Sequence, residues 1–120
     1  MAEPTFDRDG YPTEETLAVI RAWPFADSAN VLPFIAAAWH WDDMAQETRP
    51  GLWVFATGGW SGNESLLHAL QESVARFAFR HLTTRASFHV YAVTQEAKDD
   101  MRCMVGRIHN WAWSGRETNA

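Results

Sequence analysis

The stretch Phe55-Ala56-Thr57-Gly58-Gly59-Trp60-Ser61-Gly62-Asn63-Glu64 decides how this 120-residue chain folds. Before it, Leu52-Trp53-Val54-Phe55-Ala56-Thr57 is β-rich, shows little alternation and is bounded by glycines. That pattern predicts a strand buried on both faces. After it, Leu66, Leu67, Leu70, Val74, Phe77 and Ala78 recur at helical spacing, predicting a helix from Ser61 to about His81. Between the two, Gly58 and Gly59 allow positive φ and close approach of a ligand to the backbone.

Ser61-Gly62-Asn63-Glu64 matches the capping box S-x-x-E, in which serine and glutamate close reciprocal bonds to the first-turn amides. That role would occupy Glu64 and make it a poor general base. The same strand, glycine turn and helix start presents free N–H groups to a small ligand, and Trp60 could stack on a ring. The stretch is neither a P-loop nor a dinucleotide fingerprint, and it carries no lysine to reach a phosphate. The candidate ligand-binding set is Gly58, Gly59, Trp60, Ser61, Asn63 and Glu64, with Trp39 and Arg85 nearby.

Upstream, residues 1–12 hold two prolines, a glycine and alternating charges, and read as an arm pinned by Phe6 and Tyr11. Thr13 is the N-cap of a first helix with Glu14 and Glu15 in its first turn, stopped by Pro24. Val31, Phe34, Ile35, Ala38 and Trp39 form the stripe of a second helix, capped by Asn30 and expected to end near Trp41-Asp42-Asp43. Residues 44–50 read as a polar loop. Downstream, Ser87–Thr94 is a second strand, and a last helix runs from about Glu96 to Ala112.

The order is α-α-β-α-β-α, a small single-domain α+β fold over residues 13–113, with a polar tail over 114–120. Strand, helix, strand has the spacing of a crossover connection. Two strands alone make a marginal sheet. Either a strand is hidden, with residues 4–11 a candidate, or a second copy completes the sheet as a homodimer.

Charge is uneven. Residues 1–50 carry nine acids and three arginines, net −6, against +1 for the remainder. Only Arg76, Arg80 and Arg85 cluster, which argues against binding duplex nucleic acid. The lone Cys103, beside Met101 and Met104, cannot form an internal disulfide and reads as a buried thiol. The first residues show no leader pattern, and no apolar run approaches a membrane span.

His40, His68, His81 and His89 with Asp42 and Asp43 show no metal-ligand spacing, so no metal or other cofactor is expected. Ser61, His89 and an aspartate lack the nucleophile-elbow pattern, so no catalytic residue is assigned. Trp39-His40-Trp41 and Trp111-Ala112-Trp113 end two helices, and each should leave one ring exposed at a binding rim or subunit contact.

Thr57-Gly58-Gly59-Trp60-Ser61-Gly62-Asn63-Glu64, followed by Leu66-Leu67 and Ala69-Leu70, resembles a block shared by a group of small uncharacterised bacteriophage and prophage proteins. The resemblance extends upstream through Ala38-Trp39-His40-Trp41 and Glu15-Thr16-Leu17, covering roughly residues 13–92. The group carries an R-G-G-H-Y-like segment entering its last strand. Here Arg85-Ala86-Ser87-Phe88-His89 keeps the arginine, lacks both glycines and displaces the histidine by one place. The resemblance implies a phage protein of the host cytoplasm and no particular activity. The expected function is non-enzymatic binding of a small, nucleotide-like ligand or a host defence protein. The alternatives are an enzyme acting on a nucleotide or peptide, and a particle assembly protein.

Overall fold

The structure, a computed structural model, describes residues 3–84 and 87–99. Arg85, Cys103, the tail and the last helix beyond residue 99 lie outside the described residues. The fold is α+β: helices packed on a four-stranded antiparallel sheet of order β1-β2-β4-β3. The elements are α1 (Glu14–Arg21), α2 (Val31–Ala37), β1 (Ala45–Arg49), β2 (Leu52–Ala56), α3 (Ser61–Gln71), β3 (Arg80–Thr84) and β4 (Phe88–Ala92). Short 3₁₀ segments occupy Phe25–Asn30, Asp42–Met44 and Val74–Ala78, and residues 95–99 are helical. No described helix is long and apolar enough to cross a membrane.

The first helix follows its signals. The Thr13 hydroxyl accepts the Thr16 N–H at 3.3 Å, and α1 ends at Arg21, before Pro24. The arm forms a small closed hairpin. Asp7 Oδ1 accepts the N–H groups of Asp9 and Tyr11, and Thr5 bonds Thr13 and Thr16.

The second-helix stripe is buried as expected, at Val31, Phe34, Ile35, Ala38 and Trp39. The helix stops at Ala37, however, short of Trp41. The Trp39 indole turns inward and donates to the Ala56 carbonyl at 3.0 Å, which a continued helix would not allow. Asn30 flanks the helix start but makes no side-chain cap bond there, because its amide donates to Asp27 instead.

Two strands escape the sequence reading. Residues 45–49, expected to be loop, form β1, an edge strand whose Gln46, Glu47, Thr48 and Arg49 are all exposed. A polar edge resists pairing with another chain and shows no apolar alternation. Residues 80–84, where a long helix was expected to end at about His81 and the chain to turn, form β3. Helix α3 ends at Gln71 because buried Ser73 donates to the Trp23 carbonyl at 3.1 Å and accepts the Ala75 N–H at 3.1 Å, starting a new 3₁₀ turn. Val74 and Phe77, expected in the core, are thereby 56 % and 67 % exposed.

The crossover also differs from expectation. β4 lies antiparallel to both β2 and β3. The strands joined through α3 are therefore β2 and β3, parallel to one another with β4 inserted between them.

Both sheet faces are covered, as the unalternating β2 run requires. One face meets the main core of Ile20, Val31, Ile35, Leu66, Leu70, Phe55 and Tyr91. The other gathers Leu52, Val54, Val90, Ala92 and Ala97. Register places Phe55 and Thr83 opposite His89, and Trp53 and His81 opposite Tyr91. Side chains two apart share a face, so β3 and β4 bring His81, Thr83, His89 and Tyr91 together beside α3.

Candidate functional site

The turn after β2 is fixed residue by residue. Gly58 and Gly59 have φ of +62° and +75°. The Thr57 hydroxyl accepts the Gly59 N–H at 3.2 Å and its carbonyl accepts the Trp60 N–H at 3.1 Å. With Thr57 bonding the turn, the helix begins one residue early. Trp60 is the flanking residue, Ser61 is already helical, and the expected capping box does not form. The Ser61 carbonyl accepts from the Ser65 hydroxyl, and the Glu64 carboxylate is left exposed.

Asn63 is fully buried and is spent on structure. Its Oδ1 accepts the His40 N–H at 2.9 Å, and its Nδ2 donates to the His40 carbonyl at 3.2 Å and the Thr57 carbonyl at 3.4 Å. This clamp ties the segment after α2 to the start of α3. Trp39 is likewise buried, against Phe55 at 4.9 Å. Neither Asn63 nor Trp39 faces solvent.

The clamp holds four rings together at the surface. Trp60 stacks on Tyr11 at 4.7 Å and lies 4.6 Å from His40, which meets Trp41 edge-on at 4.4 Å. Trp41 is 47 % exposed and has φ +64°, a left-handed conformation that is an outlier for a bulky residue. The ring of Trp41 rests on Gly58, where a Cβ would approach it to 2.7 Å. The ring of Trp60 folds over Gly62, where a Cβ would come within 2.3 Å. Gly58 and Gly62 are thus the bed of an exposed aromatic patch. Of the sequence-predicted set, Gly58 and Trp60 belong to this patch, while Gly59 shapes the turn and touches none of the rings. Ser61 and Glu64 line the flank of α3, and Arg85 lies outside the described residues.

Two clefts flank α3 and share Glu64 and His68. The first, about 440 Å³, lies against α1 and contains Arg21. That guanidinium is bonded to Glu14 at 2.8 Å and Glu72 at 3.4 Å, and it holds the Glu14 carboxyl below the usual range. Its charge is already matched, so this cleft is a poor anion site. The second, about 380 Å³, lies over β3 and β4 and is lined by Glu64, Leu67, His68, Gln71, His81, His89 and Tyr91.

At its floor, His81 Nε2 and His89 Nδ1 face each other at 3.0 Å, and Gln71 Nε2 meets His81 Nδ1 at 3.2 Å. The imidazole centroids are 5.2 Å apart and the planes differ by 18°. The two nitrogens therefore point almost along one line, as in an N–H···N bond. A divalent ion needs about 2.0–2.1 Å to each nitrogen, so the gap is too narrow to hold one between them. Among the described residues no group of three ligating side chains could hold a metal.

Burial, and then the neighbouring His89, push His81 down to about 4. Burial also lowers His89, against the opposing pull of Glu64. The pair is neutral near pH 7. Tyr91 stacks on His81 at 4.3 Å, and burial pushes its phenol well above the usual range, with the polar side chain of nearby Gln71, which falls short of hydrogen-bonding geometry, pulling the other way. Its hydroxyl has no partner in hydrogen-bonding geometry.

The rim tryptophan of Trp39-His40-Trp41 was legible in the sequence. Tyr11, Gln71 and the His81–His89 pair were not assigned to a site. The available signal was His81-x-Thr83 and His89-x-Tyr91 on adjacent strands, hidden by ending a helix at about His81 and turning the chain after it. Comparisons with protein-family models, curated proteins and solved structures find no match to this chain.

Proposed function

We propose that the chain is a non-enzymatic bacteriophage accessory protein of the host cytoplasm. It binds a small nucleotide-like ligand, or a host defence protein, through the patch of Tyr11, His40, Trp41 and Trp60. The observation that carries this reading is Trp41. A left-handed bulky residue costs about 1–3 kcal/mol, and here the strained residue is a large apolar ring left about half exposed. Strain kept at an exposed ring favours recognition over packing. Base–aromatic stacking is worth about 1–3 kcal/mol per base, enough for such rings to matter to a planar ligand.

Thermal-shift screening with nucleotides and cyclic nucleotides tests the reading. A ligand should raise the melting temperature by mass action, and Trp41→Ala and Trp60→Ala should abolish the shift. Turnover of a hit would favour the enzyme class instead.

Homodimerisation remains part of the proposal on different grounds. The sheet has four strands and a polar β1 edge, so it needs no partner strand. Exposed Phe25, Val74 and Phe77, on 3₁₀ segments that pack together, are the better candidate contact.

A further inference from the structure

We propose that the cleft between α3 and the β3–β4 pair is a second binding site, distinct from the aromatic patch, and that it takes a small amine or guanidinium cation. The cleft gathers oxygen and nitrogen acceptors. The Glu64 carboxylate stands at its rim, the Tyr91 hydroxyl lies unpartnered at its floor, and the two imidazoles form one neutral relay. No lysine or arginine lines it among the described residues. A phosphate or carboxylate ligand would meet Glu64 with no compensating charge, whereas a cation gains from it.

The relay suits such a guest. When the Gln71 amide turns its oxygen to His81 Nδ1–H, His81 Nε2 becomes the acceptor of His89 Nδ1–H. His89 Nε2 is then left as a free acceptor. Turning the amide reverses every bond, and His89 Nε2 becomes a donor. Amide orientation and tautomer are coupled in this way, so a cation selects the acceptor form without charging either ring. The buried Tyr91 hydroxyl supplies the independent sign of a ligand. A polar atom left unpaired in a core costs stability, and a donor from the guest would satisfy it.

Calorimetric titration of the full chain with agmatine, which carries an ammonium and a guanidinium, and with the uncharged butylurea, which keeps the four-carbon chain and a planar head, tests the proposal. Agmatine should bind and butylurea should bind at least about tenfold more weakly, a difference of about 1.4 kcal/mol. Glu64→Gln and Tyr91→Phe should each weaken agmatine several-fold, while Trp60→Ala, in the aromatic patch and outside the lining of the cleft, should leave it unchanged. Tyr91→Phe removes only the unpaired hydroxyl, so the variant should fold at least as well as the parent. Equal binding of butylurea, no binding of agmatine, or full agmatine affinity in both Glu64→Gln and Tyr91→Phe would overturn the assignment.

Discussion

Asn63 shows how much one side chain can organise. It closes three hydrogen bonds to main-chain groups of His40 and Thr57, all at or below 3.4 Å. Asn63→Ala leaves those groups unpaired in the interior, so it should cost about 2–4 kcal/mol in urea denaturation. It should also release the rings of the patch, read as a change in tryptophan emission. Gly58→Ala meets both a positive φ and the Trp41 ring, and should destabilise by about 1–3 kcal/mol. Gly59→Ala, with open space around its Cβ, bears the φ penalty alone and should cost less. The need for glycine at 58 and 59 was legible from the sequence. The need at 62 was not, because it arises from the ring of Trp60 lying over it. Asn63 was singled out for a ligand because nothing local explained it. Its partner His40 is 23 residues away, beyond the reach of any local pattern.

At the scale of elements, sequence periodicity located α1, α2, β2, β4 and the start of α3, where apolar spacing and burial coincide. It failed where a tertiary bond overrode the pattern. Ser73 is the case in point. Its hydroxyl bonds Trp23, 50 residues away, and the helical stripe beyond it is cut. Phe77→Ala discriminates the two readings. A core phenylalanine would cost about 3–5 kcal/mol, whereas the exposed ring over which Arg76 lies at 4.4 Å should cost less than about 1 kcal/mol. The β3–β4 pair carries a pH signature. His81 falls from an ordinary 6.5 to about 4 in the fold, so the unfolded chain binds more protons between those values. Stability is therefore full above about pH 6.5 and declines as pH falls toward about 4. Because His81 is only half-buried, the loss should be about 1–2 kcal/mol. His81→Gln should flatten the slope of melting temperature between pH 7 and pH 5, a range above the titration of most carboxylates.

Over the whole molecule, the α+β class was readable because alternating helical and strand patterns leave few other architectures. Strand order was not readable. β1 is polar after Ala45 and β3 falls where a helix was expected to end and the chain to turn, so half of the sheet gave no local signal. That omission also concealed the cleft, whose facing pair of histidines, His81 and His89, comes from β3 and β4. The molecule thus presents two surfaces on either side of the α3 start, an aromatic patch on a glycine bed and an acceptor-lined cleft. The central proposal assigns recognition to the first. Its most direct test is a thermal-shift titration of the parent chain, Trp41→Ala and Trp60→Ala with nucleotides and cyclic nucleotides. The proposal expects at least one of them to raise the parent's melting temperature and to leave both variants unmoved. A shift of the same size in both variants would contradict it, as would a parent chain that none of them stabilises.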